Sequence, residues 1–288
     1  MTLHEHDVQH ADLDNSTTLT QATPSFFAYI GIFFRKTFTI TEWEIRKIRH
    51  DYSDLITRAV QPVLWMLIFG EVFNSLHPIN TGNPKVSYLA FLAPGILSQS
   101  VLFIAIFGGI AVVWERDLGV IHKFLASPTP RGSLVLGKAL SAGIRALPQA
   151  IVIYILAIIL GVQMNFNPLA LLGVLAFAIL GAASFSTFSL IIACLLKTRD
   201  RVMGIGQVLT MPLFFASNAI YPIAVMPSWL QVIAHINPLS YVVDGIRSLM
   251  IANVPINLAS IGTDFGVLIV ITIILITIGA YLYPSIVQ

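Results

Sequence analysis

The sequence predicts an all-α integral membrane protein: six transmembrane helices, an amphipathic helix ahead of them, and short outer helices that dip into the bilayer and turn back. Three observations carry this. Hydrophobic residues make up 56% of the 288 and charged residues only 10%, against roughly 25% charged in a soluble domain; so little charge cannot cover a surface that faces water. The mean hydropathy is +0.83. The apolar residues also gather into runs near the ~20 residues a helix needs to cross a bilayer, at about 57–76, 88–113, 141–162, 169–196, 203–222 and 260–283. A segment alone in lipid must satisfy its own backbone hydrogen bonds, so each run reads as a helix. The stretch "VLIVITIILITIGAYLY" (Val267–Tyr283) shows none of the period-two polarity of an outer-membrane strand.

The same numbers exclude other classes. A net charge of +2, without a basic face carrying interleaved aromatics, argues against a nucleic-acid partner. The single cysteine, Cys194, excludes an internal disulfide and a cysteine-rich metal site.

Residues 1–25 are polar and mildly acidic. They lack the positive start and apolar centre of a secretory signal and read as a disordered cytoplasmic tail. His4, His6 and His10 beside Glu5 and Asp7, and the glycosylation-like Asn15-Ser16-Thr17, are patterns too loose to carry a function there. Residues 26–51 begin apolar and aromatic and end basic. Their charges prevent a crossing, so they form an amphipathic helix along the inner face, with Trp43 at headgroup depth; packing on protein is a compatible reading. Residues 52–288 form the transmembrane domain.

Lysine and arginine set the orientation. With the N-terminus inside, the cytoplasmic side holds Arg35, Lys36, Arg46, Lys47, Arg49, Arg58, Arg116, Lys123, Arg131, Lys138, Arg145, Lys197, Arg199 and Arg201, and only Lys85 and Arg247 fall outside. Both termini are then cytoplasmic. Charges inside spans mark ion paths and proton relays, and here they are scarce. Arg145, one turn into the third span, is expected to snorkel to the cytoplasm. Asp264 stands at the outer start of the sixth. Glu71, near the outer end of the first, is the one carboxylate whose position could serve such a path. No relay is assembled, so uphill movement of any solute requires an outside source of energy.

Two loops are informative. Trp114–Lys138 ("WERDLGVIHKFLASPTPRGSLVLGK") begins helical, with Leu118, Ile121 and Leu125 on one face, and is stopped by Pro128 and Pro130. A docking element and a plain connector both fit that composition. Within it, Gly132–Ala139 falls one hydroxyl short of a phosphate loop, since Ala139 stands where magnesium needs a Ser or Thr. Turn-forming residues rather than a strand precede it, so Gly137 and Lys138 read as the point where the chain re-enters the membrane. The outer loop, "SNAIYPIAVMPSWLQVIAHINPLSYVVDGIR" (Ser217–Arg247), is too broken to cross and too apolar to float. Pro222, Pro227 and Pro238 cut it into short helices. Irregular backbone at membrane depth survives only when buried in protein or lining a cavity, so a lid over a pathway is the favoured reading and a plain cap the alternative. Asp244 and Arg247, three apart, are spaced to pair on one face.

This outer segment resembles the hallmark segment of the type-2 ATP-binding-cassette exporter permeases. "FLAPGIL" (Phe91–Leu97), with Pro94 and Gly95, is similar to that family's second signature, and Glu115–Lys138 to its third. The three stand in family order, and the resemblance is closest to the antibiotic-resistance, daunorubicin-type permeases. It implies that this chain binds no cofactor and catalyses nothing. ATP and magnesium belong to a separate ATPase subunit beneath it, and two permease copies, identical or different, form the pathway between them in a bacterial inner membrane. Carried over residue by residue, the coupling helix that seats on the ATPase is Glu115, Arg116, Gly119, His122, Phe124 and Leu125, ending at Pro128; residues 26–51 are the connecting helix. Tyr221, Pro222, Pro227, Asn237, Pro238, Tyr241, Asp244 and Arg247 belong to the re-entrant outer lid. With no ATPase fused to it, the chain is a half-sized permease. The expected cargo is amphipathic, drug- or lipid-like. Alternatives are export of a lipid-linked glycan, which a path lined by aromatics such as Phe185, Phe188, Phe214 and Phe215 would favour, and a non-transporting membrane scaffold. A channel lacks a charged ring or carbonyl filter.

Overall fold

The computed structural model describes residues 26–48, 52–70, 72–73, 86–121, 123, 129–196, 198–252 and 255–284. The predictions for residues 1–25, Glu71, His122, Phe124, Leu125 and Pro128 lie outside the described residues. Helix α1 is Phe26–Ile48, α2 is Tyr52–Leu64 and runs into a π-helical stretch, Trp65–Gly70, α3 is Tyr88–Asp117, α4 is Arg131–Ile159, α5 is Pro168–Leu195 and α6 is Arg199–Phe215. A 3₁₀ turn, Ile223–Val225, leads to α7 (Ser228–Ile236), α8 (Pro238–Met250) and α9 (Leu258–Leu282). One isolated bridge, Met164 to Ile251, is the only extended pairing among the described residues.

Local chemistry fixes several of these starts. Asn167 and Asn237 each accept the amide two residues on, from Leu169 and Leu239, at 3.0 Å, and each is followed by a proline at the first helical position, where the missing N–H costs nothing. Ser87 caps α3 at the Ala90 amide, and Asn257 caps α9 at Ala259 and Ser260. The wide π turns follow directly on Pro62 within α2, where the proline removes a ladder hydrogen bond.

Helix α5 is the hub and packs on α3, α4, α8 and α9. Helix α3 is enclosed, with 78% of its most apolar window buried, against 17% for α9. Both are apolar all round. For α3 that means a core helix, whereas α9 presents Val270, Ile273, Ile274 and Tyr281 outward, as a helix facing lipid does. Small and hydroxyl residues add links between helices to the large buried side chains of the core: Ser189 Oγ donates to the Ile106 carbonyl at 2.6 Å, and the Ser184 and Thr272 hydroxyls lie 2.5 Å apart. That is the usual solution where lipid is as apolar as the side chains.

Among the described residues, four helices are long and apolar enough to cross a membrane: α3, α4, α5 and α9. They correspond to four of the six predicted runs. The described start of the run at 57–76 is a helix that changes from α to π at Trp65, and the run at 203–222 is covered by a 17-residue helix, α6, followed by turns. At 1.5 Å per residue α6 reaches only about 26 Å, short of the ~30 Å hydrocarbon core. The third run starts ten residues earlier than predicted, at Arg131, so Gly132–Ala139 is helix and Lys138 sits well inside it. Residues 26–48 are helical as expected, and α1 packs on α4. Thr37, Ile40, Thr41 and Glu44 form its buried stripe, while Phe34, Phe38 and Trp43 stay exposed.

Candidate functional site

Buried and part-buried ion pairs form at the two ends of the bundle. At the basic end, where α3 finishes and α4 begins, Glu115 is only 9% exposed. Lys138 Nζ donates to Glu115 Oε2 and, at 3.2 Å, to Glu44 Oε1. Arg145 Nη2 donates to Glu44 Oε2 at 2.8 Å. Lys138 and Arg145 lie seven residues apart on one face of α4, so two cations and two carboxylates from α1, α3 and α4 close into one neutral cluster. Taking such charges out of water is costly unless each is paired, and here each is. Two expectations change. Arg145 does not snorkel to water but reaches across to α1. Lys138 is not a marker of membrane re-entry but the centre of the cluster. Neither pairing is visible in sequence, because Glu44 lies 94 and 101 residues from its partners.

Beside the cluster, Arg116 Nε donates to Asp117 at 3.0 Å, and Asp117 accepts from Arg199, tying α3 to α6. The chain then turns. Leu118 ends the helix, and Gly119 has φ of +70°, a left-handed conformation that glycine adopts without a Cβ penalty. The turn separates two residues expected on one face: Leu118 is 75% exposed, whereas Ile121 is fully buried in a small second core with Ile40, Val135 and Tyr283. Of the predicted coupling residues, Glu115 therefore faces inward, Arg116 is half-buried, and Gly119 forms the turn.

At the far end the second and the hallmark signatures meet. Arg247 Nη2 donates to the Asn218 carbonyl at 2.7 Å and to the Phe91 carbonyl at 3.4 Å, and the guanidinium lies 3.8 Å from the centre of the Phe91 ring. Arg247 Nη1 approaches Asp244 at 3.5 Å, and the Asn218 amide donates to the same Asp244 oxygen, so the predicted Asp244–Arg247 pairing is present. Burial pushes the Asp244 carboxyl above its ordinary range, against the pull of Arg247 and the Asn218 hydrogen bond. Burial brings Arg247 down to about 10, opposed by Asp244, which leaves it charged at neutral pH. Pro94 and Gly95 are close by: a Cβ on Gly95 would stand 2.1 Å from the Ala219 carbonyl oxygen, and Pro94 gives its carbonyl to Ser98 Oγ at 2.8 Å.

The remaining residues predicted for the outer segment hold the short helices together. The Asn237 amide donates to the Leu213 and Ala216 carbonyls at 2.7 and 3.2 Å, closing the end of α6. Tyr221 donates to the Phe215 carbonyl at 2.5 Å and Tyr241 to the His235 carbonyl at 2.6 Å. Pro222 and Pro227 start the 3₁₀ turn and α7, and Pro238 starts α8. Phe185 and Phe214 are buried in the main core, so the four aromatics considered for a glycan path do not line one surface.

Long apolar helices packed on one another, with these ion pairs at the ends, define a polytopic helical membrane protein. The family model for ABC-2 type transporters matches residues 35–251, and the chain belongs to that family. The match takes in Glu44, Lys138 and Arg247 and so spans both clusters. The chain is 27% identical over 277 residues to the putative transport permease ycf38 of Cyanophora paradoxa, covering 93% of each chain. It is 25% identical over 202 residues to the daunorubicin resistance ABC transporter permease protein DrrB1 of Streptomyces coeruleorubidus, covering 70% of each. It is 24% identical over 221 residues to the inner membrane transport permease YadH of Escherichia coli, covering 75% of this chain and 82% of that one.

Proposed function

We propose that the chain is the transmembrane permease subunit of an ATP-binding-cassette exporter and moves an amphipathic, drug- or lipid-like substrate out of the cytoplasm. A separate ATPase subunit binds ATP and magnesium and supplies the energy, and a second permease copy completes the pathway. In this reading α2 with its π stretch and α6 add two crossings to the four long helices. The basic end and both termini face the cytoplasm of a bacterial inner membrane, and α7 and α8 dip into the outer leaflet. Names of relatives that refer to daunorubicin resistance and to transport permeases support it.

The observation that carries the proposal is the cluster of Glu44, Glu115, Lys138 and Arg145. It ties the segment leaving α3 to both α1 and α4. Force applied to that segment by a closing ATPase then tilts three helices as one body, a rigid-body transition rather than a local bend. Glu115 acts here as an anchor, and Arg116, the exposed Leu118 and the turn at Gly119 are the parts presented to the partner.

The test is to purify the chain with its cognate ATPase. Replacing Glu115 and Arg116 together by alanine is expected to weaken the complex and to uncouple ATP turnover from substrate. Unchanged assembly and unchanged coupled turnover would reject the docking assignment.

A further inference from the structure

A cavity of about 290 Å³ lies between α2, α3 and α4, its Gln149 one turn along α4 from Arg145 of the basic-end cluster. Its polar wall includes Arg58, which is engaged by another group of the protein, with Gln61, Gln99, Ser100 and Gln149; Phe103 and Phe107 form part of its apolar wall. Thr57, at the edge, is exposed, so the cavity opens to the side of the bundle. Gln99 and Gln149 are only 2% and 1% exposed. Gln99 Nε2 and Gln149 Oε1 have no hydrogen-bond partner among the described residues. Two unpaired carboxamide atoms on facing helices are expensive in a helical bundle, and both belong to residues that line the same cavity.

We infer that this cavity is a binding site for the head of an amphipathic molecule, an uncharged head carrying a hydroxyl or carboxamide. Gln99 Nε2 needs an acceptor and Gln149 Oε1 needs a donor, and one hydroxyl supplies both. Rotating both carboxamides exchanges the roles and leaves the same requirement. Phe103 and Phe107 receive the first carbons of an apolar body. The volume sits at the lower edge of the ~300–1,000 Å³ of small-molecule pockets, so the head and its neck are enclosed while the tail lies among lipid. Water alone accounts for the amides but not for an apolar wall facing them.

The inference goes beyond the transport reading, and its test needs no ATPase; failure of either leaves the other standing. The purified chain in lipid nanodiscs is titrated with monoolein, methyl oleate and oleate, and binding is read by native mass spectrometry and by the shift in melting temperature. One monoolein per chain is expected, with methyl oleate, which lacks a donor, binding at least tenfold more weakly. Gln99→Leu and Gln149→Leu are each expected to weaken monoolein about three- to tenfold, the worth of one neutral hydrogen bond. Equal binding of monoolein and methyl oleate, preference for oleate, or unchanged binding by the double variant would overturn the inference. A further readout guards against misfolding. If the amides serve a ligand, the ligand-free double variant melts no lower than the parent, because two unpaired groups are gone. A lower melting temperature would make them packing groups and would equally overturn it. Lipid extraction from the parent and double variant separates two sources of such a head. A hydroxyl- or amide-headed lipid that co-purifies with the parent only marks a resident lipid. Its absence, with monoolein still bound, marks a solute site. Either result supports the cavity as a headgroup site.

Discussion

The two ends of the bundle hold buried charge in different ways. At the basic end, charge is held by charge: Lys138 and Arg145 face Glu44 and Glu115, all through side chains and across three helices. At the far end, one arginine is held mostly by what cannot leave, the Asn218 and Phe91 carbonyls and the Phe91 ring, with Asp244 as a longer partner. Side-chain pairs across three helices fasten those helices to one another. Backbone carbonyls move only with their helix. The comparison sets a joint that binds three helices into one body at the basic end against a clamp on backbone groups at the far end.

The largest effect expected is at the joint. Lys138→Met removes the shared cation and leaves Arg145 alone against Glu44 and Glu115, one cation against two carboxylates in the interior; breaking a buried pair in this way costs about 3–5 kcal/mol. A melt of the purified variant in detergent should fall accordingly. Adding Glu115→Gln should restore much of the loss, since Arg145 and Glu44 then balance. A variant with Lys138→Met alone that melts with the parent would mean that the joint is open to water, and the contrast between the ends would fail.

Next comes the clamp. Arg247→Lys keeps the charge but loses the fork that serves two carbonyls and the planar group over Phe91. Charge-assisted hydrogen bonds are worth about 1.5–3 kcal/mol, so a loss near 2 kcal/mol is expected, with Arg247→Ala losing more. If lysine serves as well as arginine, the site needs only a point charge, and the clamp differs from the joint less than proposed. Gly95→Ala probes the same end sterically. Its Cβ would meet the Ala219 carbonyl at 2.1 Å, whereas a Cβ on Gly204 or Gly266 meets nothing within 4 Å. Overpacking of this kind costs about 1–3 kcal/mol, and the two control substitutions should melt at or slightly above the parent.

What can be read from sequence divides along the same line. The far end is local: Asn237-Pro238 announces a capped helix, the prolines mark every break, and Asp244 and Arg247 are three residues apart, so its elements and one of its pairs follow from spacing. Its contact to Phe91 and Gly95 does not, because α3 and α8 are joined only in the fold. The joint is wholly non-local. Read singly, Lys138 marks membrane re-entry, Arg145 is a snorkelling base and Glu44 is one charge of the amphipathic segment, and only packing of α1 on α4 turns them into a cluster. The same limit hides Gln99 and Gln149, since a search of the spans for charge passes over amides. Leu118 departs from its expected face for a different reason: helical periodicity does not carry through Gly119, where the left-handed backbone resets the face. The lengths of α3, α5 and α9 are legible because nothing but apolar period and caps determines them. The run at 203–222 reads too long because hydropathy does not register an early stop at Phe215, just as it does not register the change from α to π winding at Trp65.

The smallest stability effect should belong to the residue with the largest consequence for coupling. Leu118 is 75% exposed, projects from the turn beside the joint, and makes no core contact to lose. Leu118→Asp should therefore leave the melting temperature within the ~0.5 kcal/mol range of surface changes. In the complex with the ATPase it should lower substrate-stimulated ATP turnover several-fold, because an apolar contact is replaced by a charge that must be desolvated on docking. Trp229, 64% exposed on α7 at the opposite end, is the matched control: Trp229→Asp should leave ATPase association intact. If both variants lower association equally, partner contact is not confined to the basic end, and the division of labour between joint and clamp is lost. If Leu118→Asp alone does so with an unchanged melt, force enters at that turn and reaches the bundle through Glu115.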